Sequence, residues 1–305
     1  MSHPESIVRK SVLPPAVNFH LEKQCNLQCR FCYAVFDDDD ALRAERHGLP
    51  EGEARRVIEL VREAGAEKLT FVGGEPTLCP HLPALLRRAR ELGFVNALVT
   101  NGARLDQVLR EADACIDWVG LSVDSSDERV QAALGRGRGD HVVKSASHFS
   151  QLRELGIRTK LNTVVTSQNW REDMSAFVLR ARPERWKIFQ VLPIEGQNDG
   201  RVGPLLISPE EFQSFVDRHR WLSQHGITIA AESNEDMTGS YAMIDPLGRF
   251  FTNVGGRHVY SRPILEVGVE AAFQSIAFRP DRFDRRGGRY DWGSPRTPLT
   301  ISART

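Results

Sequence analysis

The sequence has no run of 18 apolar residues and no apolar stretch of signal-peptide length near its N-terminus. It has no excess of charge of either sign, because Lys plus Arg and Asp plus Glu each total 40 among the 305 residues. A formal net charge of zero gives no general attraction to nucleic acid or to an anionic membrane. We therefore expect a cytoplasmic protein that binds neither, in which any anion site is a local cluster of basic residues.

Cysteine is scarce, and three of the five cysteines lie close together. Cys25, Cys29 and Cys32 follow the pattern C-x3-C-x2-C, and no cysteine follows Cys115. A structural zinc site usually takes four ligands, often in two pairs. Three thiolates are better suited to a [4Fe-4S] cluster with one iron left open for another ligand. We expect this cluster at the three cysteines, with a zinc site as the alternative.

Short apolar runs alternate with amphipathic segments along most of the chain. Strands are predicted at residues 16–21, 68–74, 94–102, 118–125, 157–166, 185–195 and 227–233, and helices at 51–65, 81–93, 141–156, 170–181 and 208–226. This order predicts a parallel sheet with helices outside it, as in a complete or partial (β/α) barrel. An open doubly wound sheet is the alternative, but the sequence lacks the glycine-rich nucleotide-binding turns that would favour it.

The rhythm changes near residue 241. The predicted division is an N-terminal segment (1–15), a barrel (16–240) and a C-terminal extension (241–305) that covers the substrate pocket. The extension begins with a predicted hairpin that turns at residues 246–248.

Three lysines occupy predicted strands at positions that can face the interior. Lys160 shares one strand face with Asn162, and Lys68 and Lys187 take similar places on other strands. A lysine inside a barrel is costly unless an anion meets it. The alternative for each single lysine is an exposed strand end. As a set, the three lysines predict a pocket for a multiply charged anion such as a triphosphate.

Two sets of motifs resemble a known family. The cysteine pattern with Phe31 before its last cysteine, and "GGEP" at 73–76 after the second strand, resemble the radical S-adenosylmethionine (SAM) superfamily. The segments "KLTFVGGEP", "DSSDERVQAALGRG", "RWKIFQVLPIEGQN", "ESNEDMTGSYAMID" and "GGRHVYSRPILEVGVEAA" resemble the viperin family within it, from about residue 17 to 292. The resemblance implies a partial (β/α)6-type barrel and a microbial or fungal relative of these enzymes.

The resemblance also implies an activity. Viperins use a [4Fe-4S] cluster and SAM to make a 5′-deoxyadenosyl radical, which removes the 4′ hydrogen of a ribonucleoside triphosphate. The 3′ hydroxyl leaves as water, and the 3′-deoxy-3′,4′-didehydro product is an antiviral chain terminator. CTP is the expected substrate, with UTP or GTP as alternatives. A flavodoxin or ferredoxin is the expected electron donor, and a monomer is the expected state.

Carried over by motif, the resemblance implies roles for particular residues. SAM would contact Gly73, Gly74, Glu75, Asn101 and Ser122, with Asp124 facing the same pocket. The phosphates would be held by Lys68, Arg136, Lys160, Lys187 and Arg262. Tyr241 would line the ribose pocket, and Asn162 would lie near the reacting centre. Lys187 or Tyr241 could donate the proton that the leaving hydroxyl needs.

Some positions depart from the family, and two other functions are compatible with parts of the sequence. Val72 precedes GGEP, where the resemblance to vertebrate viperins would imply Ser. We expect no counterpart of the amphipathic N-terminal helix or the C-terminal Trp of animal viperins. The first alternative is a radical SAM enzyme of peptide or cofactor modification, which often adds cysteines near its C-terminus. The second is a non-catalytic iron–sulfur or zinc protein, which would need neither GGEP nor inward lysines.

Overall fold

The computed structural model describes residues 11–45 and 47–296. Residues 1–10 of the predicted N-terminal segment and 297–305 of the predicted extension therefore lie outside the described residues. None of the helices in the described ranges combines the length and the apolarity needed to cross a lipid bilayer.

One ten-stranded sheet organises the chain. Its strands are β1 (Ala16–His20), β2 (Lys68–Val72), β3 (Val95–Thr100), β4 (Trp118–Ser122), β5 (Arg158–Val165), β6 (Arg185–Gln190), β7 (Thr228–Glu232), β8 (Ala242–Ile244), β9 (Arg249–Thr252) and β10 (Val259–Pro263). Strands β1 to β7 follow one another in parallel, and β8 pairs in parallel with the free side of β1. Strands β7 and β10 are the two edges and do not pair with each other, so the barrel is open.

The strands are joined and followed by helices, of which the longer ones cover the outer face of the sheet. They are α1 (Asp40–Ala44), α2 (Glu51–Glu63), α3 (Leu82–Glu91), α4 (Leu105–Ala112), α5 (Glu128–Ala133), α6 (His141–Glu154), α7 (Ser175–Ala181), α8 (Pro209–His219), α9 (Asn234–Met237), α10 (Ile264–Val267), α11 (Val269–Gln274) and α12 (Pro280–Arg285). The predicted helix 208–226 ends earlier than expected, and a 3-10 segment (Arg220–His225) completes its range. Ser208 and Glu211 form a capping box at the start of α8, with both reciprocal hydrogen bonds.

The two faces of each strand explain where the core and the site lie. On β2, Leu69 and Phe71 point outward and are fully buried against the helices, whereas Lys68 and Thr70 line an internal cavity. The same alternation on β6 buries Trp186 in the outer core. The α/β class and the unclosed parallel barrel predicted from the sequence are confirmed.

The C-terminal part of the chain adds to the sheet rather than leaving it. Strands β8 and β9 form the predicted hairpin, which is closed by a hydrogen bond from the Gly248 N–H to the Asp245 carbonyl (3.0 Å). Strand β10 and helices α10 to α12 were not predicted, because their short segments carry no long hydrophobic period.

Candidate active site

A cavity of about 490 Å³ lies on the inner face of the sheet. Its lining includes these predicted site residues: Cys25, Cys29, Cys32, Lys68, Gly73, Gly74, Glu75, Asn101, Ser122, Asp124, Arg136, Lys160, Asn162, Lys187 and Tyr241. The cysteines follow the C-terminal end of β1, whereas Lys68 opens β2 at the other end of the strands. The cavity therefore has a sulfur-lined end and a basic end.

The cysteine loop is fixed by backbone contacts with the segment after α5. Arg30 N–H donates to the Leu134 carbonyl (2.9 Å), and Gln28 N–H donates to the Gly135 carbonyl (3.3 Å). Gly135 has a φ of 81°, and a Cβ there would lie only 2.2 Å from the Gln28 carbonyl oxygen. Only glycine permits this close approach.

The three cysteines are free and line the same end of the cavity. Burial raises the pKa of all three thiols, and the pKa of Cys32 rises to about 11. The backbone N–H of Leu27 donates to Cys25 Sγ (3.4 Å), a contact that favours the thiolate. Such a trio of thiols fits a cluster that binds each thiolate through its own iron.

A site for a single metal ion would need several ligand side chains around one point. Among residues 11–45 and 47–296, no three His, Cys, Asp or Glu side chains converge on one point where an ion could sit.

The GGEP segment packs directly against the cysteine loop. Glu75 N–H donates to the Gln24 carbonyl (2.8 Å), and Gly74 N–H donates to that of Glu22 (2.5 Å). A Cβ on Gly74 would lie 2.3 Å from the Lys23 carbonyl oxygen, so this position also requires glycine. The contact brings the end of β2 against the loop that carries the sulfur ligands.

The carboxylate of Glu75 joins the ends of β2 and β3. It accepts hydrogen bonds from the Thr77 backbone N–H (3.1 Å), the Thr100 hydroxyl (2.5 Å) and the Asn101 backbone N–H (2.8 Å). Asn101 in turn points its amide toward Cys25 Sγ (3.7 Å) and Asn26. Burial raises the pKa of Glu75, although these hydrogen bonds oppose the rise. Glu75 therefore positions Asn101 beside the cysteines.

Arg136 lies at the sulfur end of the cavity and not with the lysines. Its Nε donates to the carboxylate of Asp124, which is fully buried and also accepts from the Val164 N–H (2.9 Å). The guanidinium lies 5.6 Å from the centre of the Phe31 ring, and it acts electrostatically on the thiols of Cys29 and Cys32. The expected contact of Arg136 with the phosphates stays a prediction, and in this position the guanidinium lies beside the cysteine loop.

Arg262 is the predicted residue that the structure separates from the site. Its side chain is 73% exposed on β10 and pairs with Glu266 (3.2 Å), and it does not line the cavity. The position on an outer antiparallel strand is the reason, because β10 does not border the barrel interior.

The basic end holds five cationic side chains. They are Lys68, Lys160, Arg185, Lys187 and Arg286. Burial lowers the pKa of Lys68 to about 7 and that of Lys160 well below its usual value, and repulsion from neighbouring cations contributes to both shifts. So dense a group of buried cations is costly unless an anion binds among them.

Glu232 is the carboxylate that pairs with this basic group. It is fully buried, and its Oε1 lies 2.7 Å from Lys187 Nζ, while its Oε2 accepts from the Tyr241 hydroxyl. Lys187 Nζ also donates to the Tyr241 hydroxyl oxygen (2.7 Å). Burial still lowers the pKa of Lys187 to about 8, although the carboxylate opposes the shift. One carboxylate leaves most of the positive charge uncompensated.

The C-terminal segment completes the basic end. Tyr290 accepts hydrogen bonds from Lys68 and Lys160, and the Arg286 guanidinium lies 3.5 Å from the centre of the Tyr241 ring. Neither residue was predicted, since no local pattern indicates where a segment this late in the chain folds back. Arg185 could have been found, because it lies two residues before Lys187 on the same strand face.

Comparison with known proteins agrees with this geometry. The family model of the radical SAM superfamily matches residues 23–178. The S-adenosylmethionine-dependent nucleotide dehydratase of Flammeovirga pacifica is 43% identical over 91% of this chain and 96% of that protein. The protein of the same name from Lacinutrix mariniflava is 42% identical over 92% of this chain, which spans 59% of that longer protein.

The fold is also found in a solved structure. SuiB of Streptococcus suis, whose crystal structure was determined with bound S-adenosylmethionine, superimposes with a TM-score of 0.65 over 91% of this chain and 68% of that one. The identity is 17%, so this similarity concerns the fold. The family model and the relatives at 42–43% identity establish that the chain is an enzyme of the radical SAM superfamily, with a [4Fe-4S] cluster and SAM as cofactors, and that it belongs to the viperin-like family of S-adenosylmethionine-dependent nucleotide dehydratases.

Proposed function

We propose that the enzyme removes water from a ribonucleoside triphosphate and forms its 3′-deoxy-3′,4′-didehydro analogue. The observation that carries this proposal is the group of five cations, three of them buried, at one end of a cavity whose other end holds the cysteines. A triphosphate carries several negative charges in a compact chain, and buried lysines and arginines can meet them as charge-assisted donors. A neutral or singly charged substrate would leave these cations uncompensated.

The two ends of the cavity orient this substrate. With its phosphates at Lys68, Lys160 and Arg185, its ribose would lie one layer higher, beside Asn162 and Lys187. In the sheet register Asn162 pairs with Lys187, two residues beyond the pair Lys160 and Arg185. Two strand residues rise about 6.6 Å toward the cysteines. When bound, the cluster and SAM supply the 5′-deoxyadenosyl radical that takes the 4′ hydrogen.

The second half of the reaction needs a proton and an electron. Loss of the 4′ hydrogen atom and of the 3′ oxygen as water leaves a double bond only if one further electron and one proton reach the substrate. We assign the proton to the group formed by Lys187, Tyr241 and Glu232, which are joined by hydrogen bonds. A pKa of about 8 lets Lys187 act as a general acid near neutral pH. A flavodoxin or ferredoxin would supply the electron.

Residues at the sulfur end would hold the cofactor. Gly73, Gly74, Asn101 and Ser122 line the cavity beside the cysteines and would contact SAM. Arg136, paired with Asp124 beside the same loop, would offset negative charge on SAM or on the cluster. Glu75 would act by holding Asn101 in place.

The test is an anaerobic assay of the reconstituted enzyme, working as the expected monomer, with SAM, dithionite and each of the four ribonucleoside triphosphates. Mass spectrometry should find one nucleotide that loses a single water, and CTP is the expected one. Loss of water from UTP or GTP instead would correct the base and leave the reaction in place. Cleavage of SAM without loss of water from any triphosphate would overturn the proposed function.

A further inference from the structure

Tyr290 lies at the floor of the cavity, which is the end farthest from the cysteines, between two lysine side chains. Lys68 and Lys160 both donate to the Tyr290 hydroxyl oxygen, and its own hydrogen has no protein acceptor within residues 11–45 and 47–296. We propose that Tyr290 selects substrates by the length of their phosphate chain. Its hydroxyl binds the terminal phosphoryl group and so favours a nucleoside triphosphate over a diphosphate. This inference rests on the proposed function and adds a specificity-determining residue to it.

The depth of the hydroxyl supports this role. Lys68 is the first residue of β2, and Lys160 pairs in register with Arg185, the first residue of β6. These residues form the lowest layer of the barrel, farthest from the cysteines. A nucleotide with its ribose beside Asn162 would extend its phosphates down toward this layer. The last phosphoryl group would then reach the lysine pair and the hydroxyl between them.

The chemistry of the three groups matches a phosphoryl group. Each ammonium has three donors and uses one of them on the tyrosine oxygen, so further donors remain for an anion. The phenol adds a neutral donor without adding another positive charge to a crowded site. Phosphoryl oxygens accept several such bonds at once.

Tyr290 can select for the length of the phosphate chain only if its ring is held in one position, and the surrounding contacts hold it there. The ring meets Trp118 edge-on (5.9 Å between centres) and Trp292 in the same way (5.4 Å). The Trp118 indole N–H donates to the Trp292 carbonyl (3.0 Å), and the Arg185 guanidinium lies 4.5 Å from the Tyr290 ring centre. Farther along, Arg296 donates to the carbonyls of two residues of the barrel (3.0 and 2.8 Å).

A nucleoside diphosphate would fit the basic end of the cavity less well than the matching triphosphate. If the ribose of a diphosphate occupied the reacting position, its chain would end before the hydroxyl and leave Lys68 and Lys160 without an anion. If its last phosphoryl group occupied the floor, the ribose would lie too far from the sulfur end. Either arrangement lowers kcat/KM for a diphosphate relative to the matching triphosphate.

The direct test is Tyr290→Phe in the reconstituted holoenzyme. This variant keeps the ring, its packing and the contacts of the ring with the ammonium groups of Lys68 and Lys160 (4.7 and 4.9 Å from Nζ to the ring centre). It removes the hydroxyl oxygen that accepts from both lysines. We expect KM for the preferred triphosphate to rise about ten-fold, as for loss of one hydrogen bond to a charged group. KM for the matching diphosphate and kcat for the triphosphate should stay within about two-fold. Tyr260→Phe is the matched control, since that hydroxyl binds Asp38 and does not line the cavity.

A binding measurement separates this inference from the proposed reaction. Calorimetric titration of the holoenzyme with inorganic tripolyphosphate needs no turnover. Tyr290→Phe should weaken tripolyphosphate binding about ten-fold, whereas Tyr260→Phe should leave it nearly unchanged. If Tyr290→Phe changed neither the tripolyphosphate affinity nor the kinetic preference for the triphosphate over the diphosphate, the role of Tyr290 would be overturned. Failure of the wild-type enzyme to dehydrate any nucleotide, with the tripolyphosphate difference intact, would instead contradict the proposed function.

Discussion

Lys187 and Glu232 form an ion pair, with 2.7 Å between Nζ and Oε1, inside a group of cations that no other carboxylate enters among the described residues. The carboxylate is fully buried, so its charge acts on the lysine with little screening. This pair couples the protonation of Lys187 to the basic end of the cavity. Its removal should therefore change the pH dependence of the reaction as well as its rate.

The first prediction concerns that pH dependence. Dehydration should need protonated Lys187, so kcat/KM for the triphosphate should fall as pH rises through about 8. Glu232 raises the pKa of this lysine, and Glu232→Gln should move the fall to lower pH. The shift can be measured from kcat/KM for the nucleotide at pH values from about 6 to about 9. An identical alkaline limb in wild type and variant would contradict Lys187 as the proton donor.

The second prediction concerns the cysteines. Replacing Cys25, Cys29 or Cys32 with Ala should abolish cluster binding, because each thiolate has its own iron to bind. Cys115→Ala should keep the cluster, since this cysteine lies outside the cavity. Iron and sulfide analysis after anaerobic reconstitution, with SAM cleavage as a second readout, distinguishes the two cases. Full iron loading of a Cys29→Ala protein would be incompatible with the cluster site.

The third prediction contrasts two arginines that sequence reasoning grouped together. Arg136→Met should weaken SAM binding while KM for the nucleotide changes little, because Arg136 lies beside the cysteine loop. It should also destabilise the fold by roughly 3–5 kcal/mol, since Asp124 would be buried without its partner.

Arg262→Met is the matched control for that experiment. Arg262 is exposed on β10, so its replacement should change neither SAM binding nor nucleotide KM. Titration calorimetry with SAM, nucleotide kinetics and thermal unfolding cover the three quantities. A nucleotide-specific defect in Arg136→Met would place that residue with the phosphates after all.

The fourth prediction concerns stability without nucleotide. Burial lowers the folded-state pKa of Lys68 to about 7, below that of the unfolded chain, so the unfolded state binds more protons between pH 7 and about 10. Stability should therefore rise with pH across this window. Lys68→Met should flatten the rise, and a bound triphosphate should stabilise the wild type more than the variant. Thermal unfolding at several pH values checks both effects. Equal slopes in both proteins would contradict a buried, uncompensated Lys68.

Site residues that lie on regular strands could be predicted from the sequence, whereas those in loops or late segments could not. The period-two face of a strand placed Lys68, Lys160 and Lys187 inside the barrel, where the structure also finds them. Arg136 lies in a loop without periodicity, and only its three-dimensional position assigned it to the sulfur end. Tyr290 reaches the lysines by a fold-back from more than a hundred residues away in sequence, which no local pattern encodes.

Transfer of a labelled hydrogen tests the proposed reaction at the atom where it begins. The reconstituted enzyme is incubated with SAM, reductant and CTP carrying deuterium at the 4′ carbon, or with the triphosphate that the substrate survey identifies. The proposed reaction predicts 5′-deoxyadenosine that contains one deuterium, formed together with a nucleotide that has lost one water. Unlabelled 5′-deoxyadenosine with intact nucleotide would contradict it.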